Sequence, residues 1–168
     1  MGNLKLQYRY SVEELNKKAI EALEERKVTI EDIAEIVFSL QEKFYEGLTM
    51  DLCKESVHSV LKKREVVHAV LTGIEIDKAA EKDLFSDPVL SIIKSDEGLY
   101  GIDEILPLSI VNIYGSIGLT NFGFLDKEKT GVIRDLDRAK DGTVNTFLDD
   151  IVAALAAAAA SRLAHNKR

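Results

Sequence analysis

The sequence is poor in the residues that staple small proteins or bind soft metals: it has one cysteine, three histidines, two prolines and no tryptophan. A single cysteine, Cys53, excludes an internal disulfide and a cysteine-based zinc site, and it suits a reducing compartment. Nothing beside it marks a nucleophile, so it reads as a small core residue. His58, His68 and His165 show no ligand spacing. An excess of positive charge is also missing. With 22 basic and 29 acidic residues the net charge is −7, which argues against nucleic acid as a partner and opposes loose adsorption to an anionic membrane. The first residues, MGNLKLQYRYSVEE, contain no continuous apolar segment, and Leu6 stands where a myristoylation signal needs Ser or Thr. The one uncharged run of near-spanning length, residues 105–125, is interrupted by Pro107, Asn112, Gly115, Gly118, Asn121 and Gly123. A buried helix followed by a glycine-rich turn accounts for it better than a transmembrane span. The expectation is a cytoplasmic protein, in transient contact at most with the inner face of the membrane.

What is present is helical periodicity. No stretch alternates with period two, and no repeat is found. Ser11 and Glu14 form a capping box ahead of Val12, Leu15, Ala19, Ile20 and Leu23, which predicts a first helix to about Arg26. Thr29 and Asp32 start a second, with Ile30, Ile33, Val37, Leu40 and Phe44 as its apolar stripe and Glu31, Glu35, Gln41 and Glu42 on its solvated face. Thr49 caps a third, residues 65–84 form a fourth, and Pro88 opens a short fifth ending near Lys94. A helix carries Asp103 and Glu104 towards Tyr114, and the segment after Gly115 is expected to be irregular. A short helix over 132–140 and a last one over 148–163 complete an all-α single domain of about seven to nine helices spanning 1–168. The run of alanines after Leu155 reads as a packing surface, either internal or between copies in a homo-oligomer.

Chemistry is concentrated in residues 125–154 and in a shorter acidic pair upstream. Asp149 and Asp150 lie between Phe147-Leu148 and Ile151-Val152, where adjacent carboxylates repel unless they are exposed, protonated or neutralised by a cation. Capping of a helix N-terminus by Thr146, Asp149 and Asp150 is the simpler alternative. Asp103 and Glu104 repeat the arrangement between isoleucines. Carboxylate oxygens with few histidines suit a hard cation, Mg2+ with Mn2+ as the alternative, rather than zinc. Lys129, Arg134 and Arg138 supply donors for a phosphate, set against ordinary surface pairing of the arginines with Asp135 and Asp137. The segment from Asp126 to Asp137 has the outline of a calcium loop but lacks its final Glu. Asp135-Leu136-Asp137 resembles an aspartyl-phosphate motif but lacks the strand that would present it.

Taken together, Asp126, Lys129, Ile133-Arg134, Asp137-Arg138, Gly142 and Asp149-Asp150-Ile151-Val152-Ala153 resemble the C-terminal signature of the phosphatidylglycerophosphatase A family, and Asp103-Glu104 resembles its upstream acidic pair. The chain looks most like the soluble Gram-positive branch, the low-temperature-requirement C proteins. The resemblance fades upstream of residue 100 and is not visible before residue 70. Thr130 and Val132 stand where membrane members have prolines, and the early Pro-Gly-Thr-x-Gly-Ser segment of those members is missing.

The resemblance implies removal of the terminal phosphate of phosphatidylglycerol phosphate, or of another phosphomonoester, with Mg2+. Asp103, Glu104, Asp149 and Asp150 would hold one or two ions, with Asp149, Asp150 and Asp137 as the catalytic carboxylates. Asp137 would act as a further ligand or a base. Lys129, Arg134 and Arg138 would hold phosphate oxygens while water attacks in line, without a covalent intermediate. Two rival readings are a helical Mg2+-dependent nucleotide pyrophosphohydrolase, which usually pairs its acids as Glu-x-x-Glu, and a non-catalytic oligomeric regulator that has kept the family shape.

Overall fold

The computed structural model describes residues 9–166, and the reading of the N-terminal segment as leader-free falls largely on residues outside that range. Among the described residues the chain is all helix and turn. It runs α1 (Val12–Glu25), α2 (Ile30–Gln41), α3 (Met50–Leu61), α4 (Arg64–Glu81), α5 (Val89–Ser95), α6 (Ile102–Val111), a 3-10 turn (Asn112–Tyr114), α7 (Gly115–Glu128), α8 (Gly131–Asp137) and α9 (Leu148–Asn166). Several starts follow the predicted caps. Ser11 accepts from Glu14 N while Glu14 accepts from Ser11 N, Thr29 and Asp32 repeat the exchange, and Thr49 accepts from Leu52 N.

The core is built around α9, which packs against α2, α3, α4, α6, α7 and α8. An apolar helix with no polar face belongs inside, and Ala153 to Ala160 are fully buried. The alanine run is therefore an internal packing surface. Small side chains let the surrounding helices come close, and buried hydroxyls tie them across: Ser56 donates to the Ala159 carbonyl and Ser161 to that of Tyr114. Cys53 is fully buried in the same core, where burial pushes its thiol up to about 11, as an inert core residue requires.

Three local expectations are corrected. α2 stops at Gln41, so Phe44 leaves the apolar stripe and is 73% exposed, while Gln41, expected in solvent, is buried. The segment after Gly115 is not irregular but forms α7, a helix of 14 residues. Its glycines are poor helix formers in isolation, and packing along α9 overrides that preference. Gly118 also fits tightly, since a Cβ there would lie 3.2 Å from the Val111 carbonyl oxygen.

α6 and α7 form a hairpin along α9. Tyr114 at its tip meets Ser161 near the far end of α9, whereas Asp103 and Asp126 at its two open ends both lie near the start of α9. The stretch Ile102–Glu128 is apolar enough to cross a membrane by length and composition, but its positive-φ break at Gly115 folds it back on itself.

Candidate metal and phosphate site

Five elements bring their ends together at the start of α9. Asp96 follows the last residue of α5, the first turn of α6 supplies Asp103, the end of α7 supplies Asp126, and Lys129 follows it. The end of α8 supplies Asp137, and the first turn of α9 supplies Asp149 and Asp150. Asp96 and Lys129 hold left-handed backbone, with φ of 49° and 47°, two of the four non-glycine residues that do so among the described residues. Such conformations cost about 1–3 kcal/mol and persist where the surroundings enforce them.

Lys129 sits in the middle. Its Nζ lies 2.7 Å from Asp149 Oδ2, 3.6 Å from Asp137 Oδ1 and 3.7 Å from Asp126 Oδ1. Burial alone would depress its amine, but the surrounding carboxylates, Asp149 foremost, outweigh this and hold it above its ordinary range. One ammonium cannot balance the six aspartates. Burial raises Asp149, and Lys129 only partly restrains it. Burial and the neighbouring Asp149 raise Asp150 strongly, and its carboxyl group shares a hydrogen bond with Asp126. Asp103 is raised by burial and by Asp96, Glu104 and Asp126, and Asp96 is raised by burial despite Lys129. Several carboxylates competing for too little positive charge is the electrostatic condition under which a cation binds.

The donor set fits a hard divalent ion. One oxygen each from Asp96, Asp137 and Asp149 lie within 4.8 Å of one another. These three carboxylates are the ones that would hold a hard divalent ion, and Lys129 is the cation now paired with two of them. Asp103 feels the charge of Asp96, and Asp150 that of Asp149. A narrow cleft of about 90 Å3, lined among others by Asp96, Asp137 and Asp149, opens onto the same point.

The capping of α9 is shared with a residue that nothing in the sequence singled out. Asp77, fully buried on α4, accepts from Phe147 N at 3.0 Å and from Leu148 N at 2.9 Å, and so satisfies the first amides of α9 from another helix. Burial pushes it up to about 8 against the pull of those amides and of Arg26. Thr146 is turned away and donates to the Ile93 carbonyl. Arg26 pins the preceding loop by pairing with Glu81 at 2.7 Å and donating to the Val144 carbonyl, while Glu81 accepts from Val144 N. Asp149 and Asp150 are thereby left free to face the cluster, although Asp149 also accepts from the Asp150 amide.

Of the residues singled out in the sequence, Asp103, Lys129, Asp137, Asp149 and Asp150 converge. Glu104 is exposed beside Asp103. Arg134 and Arg138 are exposed on α8 and its C-terminal residue, and among the described residues neither pairs with Asp135 or Asp137. Asp96 and Asp77 were not anticipated. Asp96 lay in a loop with no distinctive neighbours, and Asp77 looks like any polar residue of a surface helix. Asp126 was part of the family signature but had no role until the fold placed it against Asp150.

A family model described as Phosphatidylglycerophosphatase A matches residues 27–165, so the likeness reaches well upstream of where the motifs alone fade. The chain is 58% identical over 157 residues to the uncharacterized protein YpjQ of Bacillus subtilis, covering 94% of this chain and 88% of that protein. It is 52% identical over 155 residues to the uncharacterized protein YutG of the same organism, covering 92% and 93% respectively. The crystal structure of YpjQ superimposes with a TM-score of 0.90 at 57% identity, over 94% of this chain and 98% of that one. The low temperature requirement C protein from Listeria monocytogenes gives 0.88 at 57% identity, over 91% and 96%.

Proposed function

The chain belongs to the phosphatidylglycerophosphatase A family, and from that premise we propose that it is a divalent-metal-dependent phosphatase that releases phosphate from phosphatidylglycerol phosphate. The observation that carries this reading is the convergence of Asp96, Asp103, Asp126, Asp137, Asp149 and Asp150 around the single ammonium of Lys129. Asp96, Asp137 and Asp149 would hold the ion, with Asp103, Glu104 and Asp150 as the further carboxylates of the site. Mg2+, or Mn2+ in its place, would neutralise phosphate charge and polarise the phosphoryl oxygen. Lys129, displaced from Asp149, turns to the phosphate, and Arg134 and Arg138, uncommitted on α8, close on its outer oxygens. Asp137, exposed at the edge of the cluster, would serve either as a ligand of the ion or as the base that accepts the proton of the attacking water.

An apolar cavity of about 360 Å3, lined by Ile76, Phe85, Tyr100, Ile102, Ile105 and Phe147, is the feature that would suit an acyl chain, although none of the six aspartates lines it.

The test is purified protein with Mg2+ on phosphatidylglycerol phosphate, on soluble phosphomonoesters and on a nucleotide panel scored for phosphate against pyrophosphate. Release of phosphate from the lipid is expected. Asp149→Asn and Asp103→Asn should each lower it by at least about 10–100-fold, the loss that even outer-shell partners of a metal site show. Undiminished Mg2+-dependent release in both variants sinks the site assignment, and pyrophosphate release from nucleotides sinks the substrate.

A further inference from the structure

Asn145 and Thr146, in the loop that leads into α9, each reach with a side chain to a different helix end. Asn145 Nδ2 donates at 3.1 Å to the carbonyl of Leu136, the residue before Asp137 in the last turn of α8. Thr146 Oγ1 donates at 2.6 Å to the Ile93 carbonyl near the end of α5, and the same carbonyl accepts from Asp96 N at 3.2 Å. The backbone carbonyl of Asn145 in turn accepts from Asp149 N at 3.1 Å. Two adjacent residues therefore tie together the ends of α5, α8 and α9, the elements that deliver Asp96, Asp137 and Asp149.

The two side chains are themselves held in place. Asn145 Oδ1 accepts from Arg26 Nη2 at 3.0 Å, which turns the amide so that its donor faces the Leu136 carbonyl. Thr146 is 3% exposed, so water does not compete for its bond to Ile93. The two amides that follow are held by Asp77. Both residues line the same narrow cleft as the three aspartates.

α5 and α8 need such ties. Each has seven residues, too few to be stable as a helix without tertiary contacts. The carboxylates at their ends also repel one another and Asp149. Lys129 draws Asp137 and Asp149 together through side-chain ion pairs, whereas Asn145 and Thr146 act on the backbone and leave all three carboxylates open to a ligand.

We propose that Asn145 and Thr146 are positioning residues, a clip of two side chains that sets the spacing of Asp96, Asp137 and Asp149 for a divalent cation. The clip rests on the metal-site reading above and adds to it the residues that set the geometry of the site.

Isothermal titration of the full-length chain with Mg2+ alone tests the clip, together with the Mg2+ concentration that half-activates phosphate release. Thr146→Val removes the O–H at nearly constant shape, and Asn145→Asp removes the Nδ2 donor while keeping an acceptor for Arg26. Each is expected to weaken Mg2+ binding at least about tenfold, the lower end of what the partners of metal ligands contribute. For Asn145→Asp the direction itself is diagnostic, because an added carboxylate on its own would attract the ion. Thr146→Ser keeps the hydroxyl and should bind as the wild type does. Ser161→Ala also removes a buried hydroxyl from α9, one that bonds the Tyr114 carbonyl towards the other end of that helix. It should lower the denaturant midpoint in EDTA much as Thr146→Val does, yet leave Mg2+ affinity unchanged. Wild-type affinity in Thr146→Val or in Asn145→Asp, each checked for folding by circular dichroism, overturns the clip. So does Thr146→Ser or Ser161→Ala binding as weakly as Thr146→Val. A wild type that binds no Mg2+ brings down the metal-site reading and the clip with it, so the wild type alone tells the two failures apart.

Discussion

Asp77 and Lys129 are the residues on which the site depends without belonging to the signature pairs. Asp77 closes the first turn of α9 from α4, and its removal leaves two buried amides without acceptors. Asp77→Ala should destabilise the protein by about 2–3 kcal/mol, the usual cost of unsatisfied buried donors, read as a lower denaturant midpoint. Asp77→Asn keeps one acceptor and should cost less. Lys129→Gln takes away the ammonium that pairs with Asp126, Asp137 and Asp149. The apo variant should melt below the wild type, and Mg2+ should raise its melting temperature by more than it raises that of the wild type, because one more negative charge awaits neutralisation. An equal response to Mg2+ in both proteins would show that Lys129 and the ion do not compete. Asp149-Asp150 stood out in the sequence because isoleucine and leucine flank them. Asp77, in a polar stretch of helix, did not, since its partners are 70 residues away.

At the scale of elements, α4, α7 and α9 show where propensity yields to packing. α9 was predictable from its alanines, but its position at the centre, rather than on a surface between copies, depends on the helices around it. α7 was misread because its glycines imitate a loop. α4 carries Gly73 where it crosses α6 and α9, and a Cβ there would fall 2.2 Å from Ile151 Cδ1 and 3.2 Å from Leu106 Cδ2. Gly73→Val should therefore destabilise by about 1–3 kcal/mol through overpacking, even though replacing a mid-helix glycine gains up to about 1 kcal/mol elsewhere. Chemical denaturation decides between the two signs.

For the whole molecule, the raised carboxyls set the dependence of stability on pH. Asp149 and Asp150 bind protons more tightly in the folded state than in the unfolded chain, because burial and mutual repulsion penalise their charged forms. Asp77 adds to this, raised by burial to about 8. Between the unfolded carboxyl value, about 4, and these raised values the native state holds more protons than the unfolded state, so stability falls as pH rises. The apo protein should lose melting temperature steadily from pH 5 to pH 8. Mg2+ should restore it, and by more at pH 8 than at pH 5, because ion and protons compete for the same oxygens. A flat apo profile would show that the cluster is already neutralised within the fold.

The sequence by itself determined that the protein is helical and where most helices begin, and it singled out Asp103, Lys129, Asp137, Asp149 and Asp150, which the fold brings together. Those signals are local: capping boxes, 3.6-residue periodicity, and charges set among apolar neighbours. Only the tertiary structure decided that Asp96 and Asp126 join them, that Asp77 takes the Phe147 and Leu148 amides at the start of α9 while Asp149 takes that of Asp150, and that residues 115–128 fold as a helix. Each of those depends on contacts between distant segments, and no property of the residue or of its sequence neighbours encodes which helix end it will meet.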